Sequence, residues 1–289
     1  MGVPRWRDVT HILQLLFMSE LTLDNSSSSP TAASDPDPFA PQPENLIAEE
    51  ALNGNSPGRV ETRMGRIFDH ELGELKARLL TMASHAERAV NDAVHALVHR
   101  DYELAIQTND NDQILDRLEV EIDEMAINLL TKALPAGEIR LVAVAMKISQ
   151  NLERIGDEAA KVAKRTRDLC QEPPIKMQVD LPRMAHLTLD MLKRALDSFV
   201  NRDPAAARAI IPGDKEVDLL NKVITRDLVR HMTARKEAIP GCLNLMIVSK
   251  SLERIADHAT NVAEEVVYLC EAQDIRHSGK TPRPAGEVK

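Results

Sequence analysis

The sequence predicts an all-α protein: two tandem three-helix bundles, six long helices in all, related by an internal repeat and preceded by a disordered N-terminal extension. Three observations predict this. The composition is helical: 43% of the 289 residues are hydrophobic, yet only 2% are aromatic, and Ala, Leu, Glu, Lys, Arg and Met dominate. Apolar residues recur at spacings of three and four, and seldom alternate. The chain also repeats itself: Asn151-Leu152-Glu153-Arg154-Ile155-Gly156-Asp157 returns 100 residues later as Ser251-Leu252-Glu253-Arg254-Ile255-Ala256-Asp257, and both copies run on to Leu-Cys, at Cys170 and Cys270.

The elements follow in order. Residues 1–65 are an extension. Arg5 and Arg7 precede Ile12-Leu13-Gln14-Leu15-Leu16-Phe17, which is short, is interrupted by Gln14 and lacks a nearby small-residue cleavage site. It reads as a weak helix or a misassigned start, not a signal peptide. Residues 24–60 are rich in Ser, Pro, Asp and Asn and bury too little apolar surface to offset the entropy of ordering. The first repeat spans 66–174. Its first helix, near 67–99, carries Leu72, Leu75, Leu79, Met82, Ala86 and Ala93 on one stripe. The second, near 102–133, turns Ile114, Leu115, Leu118, Ile122 and Leu129 inward and stops at Pro135. The third, near 138–170, buries Leu141, Val144, Ile148, Leu152, Ile155, Ala159 and Val162. The second repeat, 175–278, gives helices near 182–201, 204–237 and 242–272, with Pro204 suited to a helix start. Residues 279–289 form a loose tail. The repeats also align at Val98-His99-Arg100-Asp101 with Val200-Asn201-Arg202-Asp203, at an offset of 102.

The charge balance narrows function. A net charge of −9 argues against a general nucleic-acid binder, which needs a basic surface. Three Cys without a C-x-x-C pair fit a reducing compartment, and no apolar run reaches the length of a membrane span. No phosphate loop, dinucleotide-binding turn, nucleophile triad or Glu-x-x-His is present.

The chemistry that stands out is carboxylate. Spacing i, i+4 puts Glu153 and Asp157 on one helix face, opposite the core stripe, and so predicts that they face solvent. In the second copy Glu253, Asp257, Asn261 and Glu264 share a strip about 80° wide at about 100° per residue. Asp112, Asp116, Glu119 and Asp123 form a second stripe on the preceding helix; Asp214 and Asp218 occupy the corresponding place in the second repeat, with Asn221 and Thr225 completing a less acidic strip. Two acidic stripes flanking a groove repel unless a cation lies between them, and oxygen-only donors favour Mg, Ca, Mn or Fe over Zn or Cu. An isolated Glu-x-x-x-Asp is ordinarily a solvated face, and Arg154 or Arg254 can neutralise it locally. In the first copy Lys161 and Lys164 stand where Asn261 and Glu264 stand, and their ammonium groups can take a cation's place.

The two Glu-Arg-Ile-(Gly/Ala)-Asp copies, with Phe68-Asp69-His70-Glu71-Leu72, Ala238-Ile239-Pro240 and Asp274-Ile275-Arg276-His277, resemble the PhoU family of phosphate-transport regulators over residues 66–278. The resemblance implies metal clusters held on the bundle surface by the motif acids Glu153, Asp157, Glu253 and Asp257, with Asp112, Asp116, Asp214 and Asp218 matching the acidic positions on the preceding helices. The cofactor expected is a divalent or trivalent ion: Mg, Mn or Fe. The implied role is non-enzymatic and cytoplasmic: an adaptor between a phosphate transporter's ATPase subunit and a sensor histidine kinase, holding the phosphate-starvation response off. The expected assembly is a homodimer, with no nucleic acid and with the membrane reached only through partners. The acids themselves leave two alternatives, an oxygen-ligated metalloenzyme and a metal-free helical scaffold.

Overall fold

The computed structural model describes residues 57–110, 113–132, 135–175 and 180–276. The chain divides into two units, 1–66 and 67–289. Of the first unit, the described residues are only the opening turns of a helix; the architecture below is that of the second. The expected disorder up to residue 56 and the loose tail lie outside the described residues.

Among the described residues eight α-helices run in sequence: α1 (Pro57–His99), α2 (Tyr102–Asp110), α3 (Gln113–Leu130), α4 (Ala136–Gln171), α5 (Leu181–Asn201), α6 (Pro204–Arg208), α7 (Asp214–Ala234) and α8 (Ile239–Glu271). Two 3-10 turns, Ile211–Gly213 and Lys236–Ala238, flank α7, and there is no strand among the described residues. The apolar stripes are buried as their period requires: Leu75, Leu79 and Met82 of α1, Leu115, Ile122 and Leu129 of α3, and Ile148, Leu152 and Ile155 of α4. α4 packs on α2 and α3, α8 packs on α5, α6 and α7, and α4 and α8 pack along each other. The last helix of each repeat is therefore interior to the molecule.

Two features differ from the expectation. α1 begins at Pro57 rather than near 67, because proline at a first helical position loses no hydrogen bond and nothing in 58–66 breaks the helix. The second helix of the second repeat is broken in two: Pro212, without an N–H, sits in the 3-10 turn between α6 and α7. In the first repeat the described residues give α2 as far as Asp110 and α3 from Gln113.

The aligned Arg-Asp pairs are the hinges between first and second helices. Arg100 and Arg202 are both left-handed, at φ 53° and 49°. The next amide reaches back five residues in each case, Asp101 N to Ala96 O (2.9 Å) and Asp203 N to Ser198 O (3.0 Å), the bond that closes a helix end. The same aspartates then open the next helix. Asp203 Oδ1 accepts from the amides of Ala205 and Ala206, and Asp101 Oδ1 accepts from Leu104. Arg100 Nη2 also donates to the carbonyls of Leu169 and Glu172, tying this corner to the end of α4. Beyond that end the linker lies against α8: a Cβ built on Gly241 would meet Glu172 Oε2 at 2.8 Å and Ile175 Cδ1 at 3.0 Å.

Two substitutions test the hinge. Asp203→Ala removes a cap serving two amides and is expected to cost about 1 kcal/mol in denaturant unfolding. Arg202→Gly relieves a left-handed non-glycine residue and is expected to change stability in the opposite sense, by up to about 1 kcal/mol.

Candidate functional site

α3 and α4 bring together the first acidic group. Burial chiefly, then the neighbouring charge of Asp157, raises the pKa of Glu153; Glu119 and Asp116 add to it and Arg154 opposes it. Glu119 is raised likewise by burial and by Asp123. Glu153 Oε2 lies 3.3 Å from Arg154 Nε but is buried and accepts no hydrogen bond. Lys161 Nζ stands 4.0 Å from Asp157 Oδ2 and 3.0 Å from Glu158 Oε1. The lysine thus takes up part of the place a cation would fill, as the sequence suggested. Lys164 is exposed, and Asp112 lies outside the described residues.

α7 and α8 build the second group from Asp214, Asp218, Glu253 and Asp257. Burial, then the charges of Asp214 and Glu253, pushes Asp257 up to about 7, and Asp218 contributes. Asp214 is raised too, by burial first and then by Asp218 and Glu253, while its hydrogen-bond contact with Asp257 opposes the rise. A carboxyl contact of this kind holds only if the pair shares a proton or a cation. Asp214 Oδ1 is buried without a hydrogen bond. Lys222 lies 3.9 Å from Asp218, and Lys250 pairs with Glu253.

The helical-wheel expectation that these acids face solvent is corrected for Glu253, which is 8% exposed, and in part for Glu153. α8 is covered along much of its length by α4, α5, α6 and α7, so Glu253 meets other helices, while Arg254 and Asp257 on the same helix stay exposed. Asn261 lines the cleft that also holds Asp214 and Asp257, while Glu264 is not among its lining residues. Asn261 Nδ2 donates to Asn151 Oδ1 on α4 (3.2 Å), and Glu264 lies in the field of Arg276. Asn221 accepts from Ser249 Oγ at 2.7 Å.

The motif aspartates of the two repeats meet. A cleft of about 550 Å³ between α4, α7 and α8 is lined by Asp157, Asp214 and Asp257, with Arg154, Lys161 and Arg254 beside them. The sequence reading missed what crosses it. Glu158 is buried and accepts from Arg254 Nη1 of the other repeat at 3.0 Å. Burial works against its ionisation, but hydrogen bonds from Lys161, Ser251 and Arg254 outweigh it and hold its pKa below the usual range. His258 Nδ1 lies 2.9 Å from Asn151 Oδ1, and burial lowers its pKa. Glu265, also buried, is met by Lys147 across the seam (3.2 Å) and by Arg276 (3.2 Å). The available signal was the 100-residue offset itself: Glu158 faces Ser251 just as His258 faces Asn151.

As a test for a bound ion, the arrangement fits in donor type and in its two orphaned carboxylate oxygens, one per group. Among the described residues, however, no three His, Cys, Asp or Glu side chains already converge on one metal-sized point.

The Asp214–Asp257 pair sets a pH dependence. A carboxyl whose folded pKa is raised binds more protons folded than unfolded, so stability falls as pH rises. Metal-free protein is expected to lose thermal stability between pH 4 and 8, most steeply around the pKa of about 7. In Asp257→Asn that loss is expected to shrink. Melting curves across that range check it, and a slope unchanged by the substitution contradicts it. At the seam, removing both Lys161 and Arg254 leaves Glu158 buried without its cations. Lys161→Ala/Arg254→Ala is expected to cost on the order of 3 kcal/mol, more than Glu158→Gln, in chemical unfolding.

Known proteins share this architecture. The family model described as "PhoU domain" matches residues 79–166 and 181–266, within α1–α4 and α5–α8 respectively. The chain is 39% identical over 216 residues to the phosphate-specific transport system accessory protein PhoU homolog of Pseudomonas aeruginosa, covering 74% of this chain and 89% of that one. It is 32% identical over 213 residues to PhoU of Escherichia coli, covering 73% and 88%. The crystal structure of PhoU from Pseudomonas aeruginosa superposes with a TM-score of 0.69 at 38% identity, over 71% of this chain and 100% of that one. The phosphate transport system regulatory protein PhoU from Streptococcus pneumoniae does so with 0.66 at 26% identity, over 72% and 99%. With both halves matched and the helical architecture shared, the chain belongs to the PhoU family.

Proposed function

We propose that the protein is a non-enzymatic, cytoplasmic regulator of phosphate transport and a negative regulator of the phosphate-starvation response. It acts as a metal-binding adaptor between the transporter's ATPase subunit and its sensor histidine kinase, as a homodimer. The relatives are named as accessory and regulatory proteins of the phosphate transport system, which supports the general role. No described helix is long and apolar enough to cross a membrane. The observation that carries the metal reading is the gathering of Asp214, Asp218, Glu253 and Asp257, with one buried carboxylate oxygen left without a donor.

In this reading the second group holds a hard cation such as Mg, Mn or Fe, and Asp116, Glu119, Glu153 and Asp157 form the weaker first site, already shared with Lys161. A bound ion supplies the positive charge that lets these carboxylates stay ionised together. The chain's part is to hold the donors at the α4–α8 seam, where occupancy alters the charge of a cleft open to a partner.

Elemental analysis of protein purified without chelator tests the metal. Glu253→Ala/Asp257→Ala is expected to lower the bound metal by about half or more, and equal content in both proteins favours the scaffold alternative. Deleting the gene is expected to raise phosphatase expression in high phosphate. Unchanged expression would remove the regulatory reading.

A further inference from the structure

The last turns of α1 carry a chemically different set of donors. Asp92, His95 and His99 stand at i, i+3 and i+7, within about 60° of one another at about 100° per residue. Both imidazoles are exposed, and their rings stack with centroids 4.0 Å apart and planes 23° apart. His99 Nδ1 lies 3.0 Å from the backbone oxygen of His95. A carbonyl oxygen only accepts, so Nδ1 carries the proton and the Nε2 lone pair is free. This is the arrangement of a ligating histidine, whose other ring nitrogen donates to a carbonyl or carboxylate. Asp92 sits close enough to feel the charges of Arg88 and His95. The carboxyl end of a helix adds partial negative charge. None of the residues lining the cleft between α4, α7 and α8 comes from α1.

We propose that His95 and His99, assisted by Asp92, form a surface chelate for an imidazole-preferring divalent ion: zinc, nickel or copper. Two histidines at i, i+4 on a helix are the pair that holds zinc in helical His-x-x-x-His sites. The rings are stacked and not yet convergent. Rotation of the exposed His95 ring about its side-chain bonds, with the His99 Nδ1 hydrogen bond kept, turns the stack into a chelate, and water completes the shell. The molecule then carries two classes of site: oxygen donors at the seam for hard ions, and nitrogen donors on α1 for softer ones.

Zinc titration of the tag-free full-length chain, by calorimetry or against a chromogenic chelator, tests this. His95→Ala and His99→Ala are each expected to weaken zinc binding by about tenfold or more, and Asp92→Asn by less. Glu253→Ala/Asp257→Ala, which disables the proposed seam site, is expected to leave zinc binding on α1 in place. No zinc binding by the parent, affinities in both histidine variants within about twofold of the parent, or loss only in the acidic double variant would each overturn the proposal. Circular dichroism confirms that the variants keep their helices. Manganese titration of the same variants reads the seam separately, so failure on α1 and failure at the seam are distinguishable.

Discussion

Everything distinctive about this molecule depends on the close packing of α4 against α8. Each helix belongs to a different repeat, and each presents the same residues at positions 100 apart. Large apolar side chains (Ile148, Leu152 and Ile155 on one helix, Val248, Leu252 and Ile255 on the other) are fully buried. Small residues are buried on both helices as well, Gly156, Ala159 and Ala163 on α4 and Ala256, Ala259 and Ala263 on α8, and small residues let helix backbones approach. Packed on so many neighbours, both helices have much of their outer faces covered, with Arg154, Lys161, Arg254 and Asp257 left at the surface. The acids on them therefore occupy clefts, where desolvation and mutual repulsion act on the same groups. The raised proton affinities of Glu153 and Asp257 follow from this placement, and Asp214, on the neighbouring α7, shares the effect.

The seam also explains why carboxylates can be buried here. Glu158 and Glu265 are each within 3.2 Å of basic side chains from the opposite repeat, Arg254 and Lys147, and of a second cation from their own, Lys161 and Arg276. A buried charge is tolerated when it is paired and hydrogen-bonded, and removing its partners is far worse than never having had it. These pairs join one half of the protein to the other. Asp214 and Asp257 differ, since their nearest partners are each other. Contrasting the buried, paired Glu158 and Glu265 with the more open Asp214 and Asp257 separates what holds the halves together from what is left available to a ligand.

Much of this was legible in the sequence. The helical class, the repeat, the apolar stripes and the Glu-x-x-x-Asp pairs follow from period and spacing, and nearly every stripe residue is buried. The outward aim assigned to Glu253 failed because a helical wheel knows one bundle at a time, and α8 serves two. Asn261 and Glu264 share a strip with Asp257 on the wheel, yet lie farther along the axis, where Asn151 and Arg276 claim them. The break within the second helix of the second repeat was hidden because the stripe resumes beyond it. The hinge at Arg100 and Arg202 was visible as an aligned pair of dipeptides, but its left-handed backbone was not, since arginine gives no hint of positive φ.

The facing of residue 158 with 251, and of 258 with 151, has a further meaning. In a two-fold assembly of identical chains, any substitution beside the axis is made twice, so opposite charges cannot be divided between the two sides. Joining the copies in one polypeptide lifts that restriction. Glutamate stands at one such position and histidine at its counterpart, serine at one and asparagine at the other. A scaffold of near-equal halves can in this way carry unequal halves of a polar lock. It assembles in only one way, and the cleft at its seam is lined unequally by the two halves.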